Sequence, residues 1–371
     1  MCRMAAIKSK RPIPPALTLR MMLAMQKGHD NSGFAMVMQD LGGVFAEYKQ
    51  FPLLSMACTP VGLERADQML EQAGWTLQFE YHPDIVNDAT LDLKRMPHYV
   101  FRTYRYPPPF DTYSQQPTPE QKQLLLETRL KLRAALSHDD QGYVYSFWPD
   151  VLTLKEIGDP RDIGTYFHLW DEQHPLQARI ISAQCRQNTN YKIVRYAAHP
   201  FFLQGYTLMG NGENTFYQKN KEFQQRLHPA YLGFESDTQC FLYTLHYVCE
   251  QLRWPLAYYK HVITPLPFQE MNTHPDGHVL RRIRQSLMHL EINGPNTVVF
   301  VLPDGRMGVI ADAKKLRPYV IGRDDDLVVS ASEVCGVNMV IPRRNTELDI
   351  YPGERETVII NNNLEVERWK Q

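Results

Sequence analysis

The sequence lacks the features that place a protein in a membrane or on nucleic acid. None of its apolar runs is long enough to span a bilayer. The first residues lead quickly to Lys8, Lys10 and Arg11 with no apolar core behind them, so they do not form a secretory signal. A formal net charge of -1 leaves no basic excess for nucleic acid. We therefore expect a soluble, cytoplasmic protein with neither nucleic acid nor a membrane as partner.

Paired cysteines and metal-ligand spacings are absent too. No C-x-x-C pair occurs, which argues against a disulfide framework or a zinc site, so we expect no bound metal. The chain has neither internal repeats nor a low-complexity tract. Its 371 residues are 43% hydrophobic and 22% charged, which is enough material for one large or two medium globular domains. The six scattered cysteines are Cys2, Cys58, Cys185, Cys240, Cys249 and Cys335.

Strand and helix patterns are both present, which indicates an α+β protein. The apolar start of residues 1–11 predicts a strand, and the prolines from Pro12 onward should end it. Residues 297–302 and 307–311 flank Asp304-Gly305 and predict a hairpin. We interpret the stretch at about 42–137 as an inserted irregular and helical segment. Further elements are predicted as helices at 16–26, 118–137, 236–252 and 277–291 and as strands at 34–38, 142–147 and 151–154.

Cys2 directly follows the initiator methionine, and its small side chain permits removal of Met1. Residue 2 would then carry both a thiol and a free α-amine. An α-amine titrates near ~8, so it can act as a general base close to neutral pH. Nucleophile and base could therefore belong to one residue.

Five segments together suggest a specific family. In chain order they resemble the class II glutamine amidotransferases, which are N-terminal-nucleophile hydrolases, and above all the amidotransferase part of glutamate synthase. The resemblance implies one domain over 1–371, folded as a four-layer αββα sandwich of two antiparallel sheets. The segments are Cys2, Arg179-Ile180-Ile181-Ser182 followed by Ala198-His199-Pro200-Phe201, Gly210-Asn211-Gly212-Glu213-Asn214, Ser236-Asp237-Thr238, and Asp312 to Pro318 with Ala331-Ser332-Glu333.

The resemblance also implies catalytic roles. Cys2 stands at the position of the family's nucleophile, which attacks the side-chain amide of glutamine. Asn211 and Gly212 match the oxyanion hole, where a side-chain amide and a backbone N–H receive the oxygen of the tetrahedral intermediate. Taken alone, Asn-Gly is more often a turn.

Substrate-binding roles follow in the same way. Arg179 matches the arginine that binds the glutamine α-carboxylate, and Ser182 supplies a hydroxyl to that carboxylate. Asp237 matches the aspartate that pairs with the substrate ammonium, with Ser236 beside it. Either Ser236 or Asp237 also serves as an N-cap for the helix that follows.

Three positions depart from the family pattern. The residue after the nucleophile is Arg3 where glycine is usual, Gly210 replaces the histidine before Asn-Gly, and Gln177-Ala178 replaces His-Thr. Arg186 and Arg195 lie near enough in the sequence to exchange with Arg179 in that alignment.

We predict that the chain hydrolyses glutamine to glutamate and passes the ammonia to a glutamate synthase-like partner subunit. Cofactors are expected only on that partner, as FMN and an iron–sulfur cluster, because the chain ends where a synthase portion would begin. Two alternatives remain open: a catalytically degenerate interaction subunit, and a free γ-glutamyl amide hydrolase without an ammonia acceptor. Homo-oligomerisation is also an open alternative.

Overall fold

The computed structural model describes residues 2–137, 139–187, 193–228 and 236–371. Its strands are β1 (Arg3–Ile13), β2 (Phe34–Gly43), β3 (Pro52–Cys58), β4 (Thr76–Tyr81), β5 (His98–Arg105), β6 (Gly142–Pro149), β7 (Val151–Glu156), β8 (Leu176–Cys185), β9 (Phe201–Leu203), β10 (Tyr206–Gly212), β11 (Asn296–Val301), β12 (Met307–Ala311), β13 (Val320–Arg323), β14 (Leu327–Ala331), β15 (Glu356–Ile360) and β16 (Val366–Lys370). Its helices are α1 (Ala16–Ala24), α2 (Pro60–Gln72), α3 (Pro119–Ser137), α4 (Pro160–Tyr166), α5 (Tyr217–Leu227), α6 (Thr238–His246), α7 (Leu256–Ile263), α8 (Phe268–Thr273), α9 (Gly277–Leu287) and α10 (Val334–Asn338).

Two six-stranded antiparallel sheets form the centre of the part of the chain that the structure describes. One has the strand order β13-β14-β1-β8-β2-β7, and the other has the order β16-β15-β12-β11-β10-β9. The N-terminal strand is an inner strand, because it pairs with β14 on one side and with β8 on the other. It continues past Pro12 to Ile13, since the pairing with β8 shifts register between Lys8 and Ile13. Proline at such an irregularity need not end a strand.

The two sheets stack face to face, and helices cover both outer faces. The core between the sheets draws apolar side chains from β1 and β8 on one side and from β10, β11, β12 and β15 on the other. Helices α1 and α10 contact the first sheet, and α4 packs on α1. Helix α6 contacts the second sheet, α5 and α7 pack on α6, and α9 packs on α7. The predicted α+β sandwich with αββα layers is therefore confirmed.

The segment at about 42–137 is more regular than expected. Besides helix α3 it contains helix α2 and the strands β3, β4 and β5, which join β6 in a four-stranded antiparallel sheet of order β4-β5-β3-β6. The prediction of an irregular stretch was wrong because prolines and aromatic residues obscure its alternation. In addition, the pairs β3–β5 and β3–β6 each join strands that are distant in sequence.

Local signals were accurate where capping chemistry or a tight turn defines the element. Helix α3 begins with the predicted capping box: Gln121 N donates to Thr118 Oγ1 at 3.3 Å, and Thr118 N donates to Gln121 Oε1 at 2.9 Å. The predicted hairpin is β11 with β12, paired from Thr297 opposite Ala311 to Val301 opposite Met307. Among the described residues, no helix is long and apolar enough to cross a membrane.

Candidate active site

A cavity of about 90 Å³ opens where β1 begins, at one end of the stacked sheets. Five residues predicted from the sequence line it: Cys2, Asn211, Gly212, Ser236 and Asp237. The other lining residues are Arg186, Gln187, His199, Gly210, Glu213, Thr238 and Arg317. Segments far apart in sequence thus converge on one polar cavity.

The Cys2 thiol lies against the backbone of Gln187. Its Sγ is 3.4 Å from Gln187 N and 3.8 Å from Gln187 O. Burial raises the pKa of the Cys2 thiol, although hydrogen bonds from Gln187 and Gln184 and the charge of Arg186 oppose that shift. The thiol is therefore protonated at neutral pH and needs a base to become a nucleophile. Met1, whose removal would expose the α-amine, lies outside the described residues.

Asn211 and Gly212 end strand β10 beside the cavity. Asn211 is only 3% exposed, and its Nδ2 has no hydrogen-bond partner among the described residues. Gly212 has φ +154, and a Cβ there would lie 1.9 Å from the carbonyl oxygen of Pro295. Only glycine fits so close to another backbone. A buried amide donor without a partner is what an oxyanion hole needs before substrate arrives.

Asp237 and Ser236 precede helix α6 and have different surroundings. The Asp237 carboxylate accepts from Asn214 N at 2.8 Å, and burial raises the pKa of Asp237 to about 6. The Ser236 hydroxyl accepts from Thr238 N at 3.2 Å and is 2.8 Å from His199 Nε2. Ser236 therefore acts as the cap, while the Asp237 carboxylate gives the cavity a negative charge.

Arg186 directly follows strand β8 and lines the cavity. Its backbone N donates to Gly33 O at 2.8 Å, and its carbonyl accepts from Asp30 N at 3.4 Å. Ser32 Oγ lies 3.5 Å from the same carbonyl. The turn-rich loop after α1 thus fixes the backbone of this arginine. Arg3 pairs with Cys185, so Arg186, the residue that follows Cys185, falls beside Cys2.

Arg179 and Ser182 lie elsewhere. Arg179 donates to Asp40 Oδ2 at 3.0 Å and to Ser9 O at 3.2 Å, and it lines a separate cleft of about 410 Å³. At ~3.3 Å per residue, seven positions along β8 put it roughly 23 Å from Arg186. Ser182 is buried opposite Ala6 in the middle of the sheet. The structure therefore does not bring these two predicted residues to Cys2. The register between β1 and β8 places Arg179 and Ser182 away from Cys2.

Arg3, a departure from the family pattern, has a structural role on the other face of its strand. Its guanidinium pairs with Glu333 at 2.6 Å and donates to Met25 O at 3.2 Å. Ser332 accepts from Met4 N at 3.0 Å through its hydroxyl. Alternate residues of a strand face opposite sides, so Arg3 points away from the cavity that Cys2 lines. The segment Ser332-Glu333 thereby anchors the strand that follows Cys2.

Arg317 reaches the cavity on a loop that Asp312 organises. The Asp312 carboxylate accepts from three backbone N–H groups: Asn296 at 2.9 Å, Lys314 at 2.6 Å and Leu316 at 3.2 Å. Asp312 thus has a structural role in this segment, whereas Arg317 lines the cavity.

Comparisons with known proteins agree with this fold. No family model matches the chain. An uncharacterized protein of Archaeoglobus fulgidus is 25% identical over 309 residues, which cover 81% of this chain and 77% of that protein. A protein of Methanothermobacter thermautotrophicus, provisionally named a glutamine amidotransferase, is 25% identical over 207 residues. That match covers 54% of this chain and 56% of the relative.

Two solved structures align with the whole chain. Glutamine phosphoribosylpyrophosphate amidotransferase of B. subtilis, complexed with ADP and GMP, has a TM-score of 0.50 and 13% identity. A structure described as the allosteric regulatory enzyme of purine biosynthesis has a TM-score of 0.51 and 13% identity. This chain spans 49% of each. Identities this low show a likeness of fold alone, which agrees with the α+β sandwich described above.

Proposed function

We propose that this chain is a glutamine amidotransferase that hydrolyses the side-chain amide of glutamine. One observation carries the proposal. A cysteine at position 2, a buried amide donor at Asn211 and a buried carboxylate at Asp237 share a single cavity. These groups are a nucleophile, an oxyanion donor and a partner for an amino-acid ammonium group.

The proposed mechanism begins when Met1 is removed. The α-amine of Cys2 takes the thiol proton, and the sulfur attacks the amide carbon of glutamine. Asn211 Nδ2 and the backbone N–H of Gly212 stabilise the oxyanion of the tetrahedral intermediate. The C–N bond then breaks, ammonia leaves with the proton returned by the amine, and a γ-glutamyl thioester remains. Water attacks the thioester and releases glutamate and the thiol.

Substrate binding in this proposal uses Arg186 rather than Arg179. The guanidinium of Arg186 lines the cavity beside Cys2, so it can bind the α-carboxylate of glutamine in a bidentate manner. Asp237, which lines the same cavity, binds the α-ammonium. Transfer of the ammonia to a glutamate synthase-like subunit is also a proposal. It is supported by the sequence resemblance, whereas the likeness in fold does not discriminate among ammonia acceptors.

Glutamine turnover by the purified, Met1-processed chain tests the function. We expect stoichiometric release of glutamate and ammonia, measured by coupled assay. A processed chain that binds a partner but releases neither product would favour the interaction-subunit alternative. Turnover that is unchanged when a glutamate synthase-like subunit is added would favour the free γ-glutamyl amide hydrolase.

Exchanging each candidate arginine for lysine should identify the carboxylate-binding residue. We expect Arg186→Lys to raise KM for glutamine by about 10- to 100-fold, because lysine keeps the charge but loses the bidentate fork. Arg179→Lys is the matched control and should leave KM within about twofold, since Arg179 already binds Asp40. Steady-state kinetics decide between them, and the reverse pattern would restore the sequence-based assignment.

Glutamine affinity should depend on the charge of Asp237. Its pKa is raised to about 6, so the carboxylate becomes neutral as pH falls through about 6, and KM should rise there. Asp237→Asn should raise KM about 10- to 100-fold near neutral pH and remove that pH dependence. A raised pKa means that protonation favours the folded state, so the loss of affinity is not unfolding. Thermal melts across the same pH range are the control, and a flat wild-type KM would contradict the prediction.

A further inference from the structure

Gln184 lies on β8, next to the strand β1 that follows Cys2, and its side chain faces strand β10, which carries Asn211 and Gly212. Its side chain is fully buried, at 0% exposure. Its Nε2 donates to the carbonyl oxygen of Gly210 at 2.8 Å. Gly210 immediately precedes Asn211 on β10. The amide of Gln184 thus holds the backbone that leads into the oxyanion hole.

The same amide also reaches the nucleophile. Gln184 pairs with Met4 across β1 and β8, and Arg3 pairs with Cys185. Side chains alternate along a strand, so Gln184, Met4 and Cys2 share the inner face of the sheet, with Gln184 and Cys2 as diagonal neighbours. The side-chain amide of Gln184 lies close enough to Cys2 to lower the pKa of its thiol. One side chain therefore contacts both halves of the site.

Gly210 has no side chain that could fix its own backbone. A Cβ at this position would lie 3.1 Å from Thr238 Cγ2 and 3.3 Å from Val298 Cγ1, which leaves little room for a larger residue. Its backbone is restrained by the ladder with β11, where it pairs with Val298, and by the bond that its carbonyl accepts from Gln184. Packing alone does not explain an amide at 184, because its Oε1 is buried without a partner among the described residues. A buried unpaired acceptor costs stability that an apolar side chain would not.

We propose that Gln184 is a positioning residue that fixes the Cys2 thiol relative to the Asn211-Gly212 oxyanion hole. The inference rests on the proposed function of this cavity. Gln184 acts through the two strands it connects and does not touch the reacting carbon. Its loss should reduce the rate of thiol attack more than the binding of glutamine, whose α-carboxylate and α-ammonium bind other residues.

Gln184→Met tests this, because methionine keeps the length but loses the amide that bonds Gly210 O and favours the Cys2 thiolate. We expect kcat to fall about 10- to 100-fold with KM within about twofold, since misplaced reacting groups lose rate. The pH at which iodoacetamide half-maximally alkylates Cys2 should rise as well, because the thiolate loses a donor. Gln184→His keeps a donor near Gly210 and should recover part of both losses.

Gln39→Met is the matched control. Gln39 is also buried at 7% exposure, with Nε2 3.5 Å from Gly205 O at the opposite end of β10 and an unpartnered Oε1. The Gln39→Met variant should lower the melting temperature about as much as Gln184→Met does. It should leave kcat and the alkylation of Cys2 unchanged. Equal kinetic losses in both variants, or wild-type values in Gln184→Met, would overturn the inference. A wild type without turnover would instead reject the proposed function, and the alkylation profiles would still test Gln184.

Discussion

Replacing Cys2 with alanine should reduce glutamine hydrolysis to background, a loss on the order of 10⁶-fold, as for removal of other hydrolase nucleophiles. The sulfur forms the bond to the amide carbon, and no other cysteine lines the cavity within the described residues. The fold should persist, because Arg3 and Met4 hold the start of β1 through Glu333 and Ser332. Release of glutamate and ammonia measures the effect, and circular dichroism checks the fold.

Labelling gives a second readout of the same residue. The glutamine-like diazoketone 6-diazo-5-oxo-norleucine should add one label to the Met1-processed wild type, mapped by mass spectrometry to Cys2, and none to Cys2→Ala. Cys249→Ala is the control, since Cys249 is also half-buried but lies beyond the end of α6. That variant should keep both label and activity. Retained hydrolysis in Cys2→Ala, or a label elsewhere, would refute the mechanism.

Asn211→Ala should lower kcat by about 100- to 1,000-fold, the usual loss for one oxyanion donor. The Nδ2 of Asn211 has no partner in the free protein among the described residues, so its removal breaks no hydrogen bond of the folded state. KM for glutamine should therefore change little, and stability should change less than activity does. The effect is specific to the transition state because charge develops on the amide oxygen only during attack.

The control for Asn211 lies on the same strand. Thr207 is buried on β10 at 1% exposure, and its Oγ1 also lacks a partner among the described residues, but it lies at the far end from Cys2. Thr207→Val should leave kcat within about twofold. Initial rates and melting temperatures of both variants are the measurement. A loss confined to KM in Asn211→Ala would assign the residue to substrate binding and remove it from the oxyanion hole.

Sequence patterns succeeded where the determinant is local. Thr118 and Gln121 define the start of a helix by themselves, and Asp304-Gly305 defines a turn between two apolar runs. Cys2 and Asn211 were predicted as site residues because their segments occur in a recognisable order, and the structure brings them to one cavity. These features needed no knowledge of which strand pairs with which.

The pairing of distant strands is what the sequence could not supply. Arg179 and Arg186 belong to one segment, and only the register of β8 against β1 places Arg186 beside Cys2. Gln184 could be identified only from that register and from its bond to Gly210. Arg3 departs from the family pattern, and its ion-pair partner Glu333 could be identified only from the fold.

The inner position of β1 also has a consequence for the order in which the molecule is made. The ribosome synthesises β1 long before β8 and β14, the two strands that enclose it. Until Leu327–Ala331 emerges, one side of β1 has no partner, so the site cannot be complete on a nascent chain. Pairings this distant in sequence are slow to form. Under the proposed function, we therefore expect glutamine hydrolysis to begin only after β14 has joined the sheet.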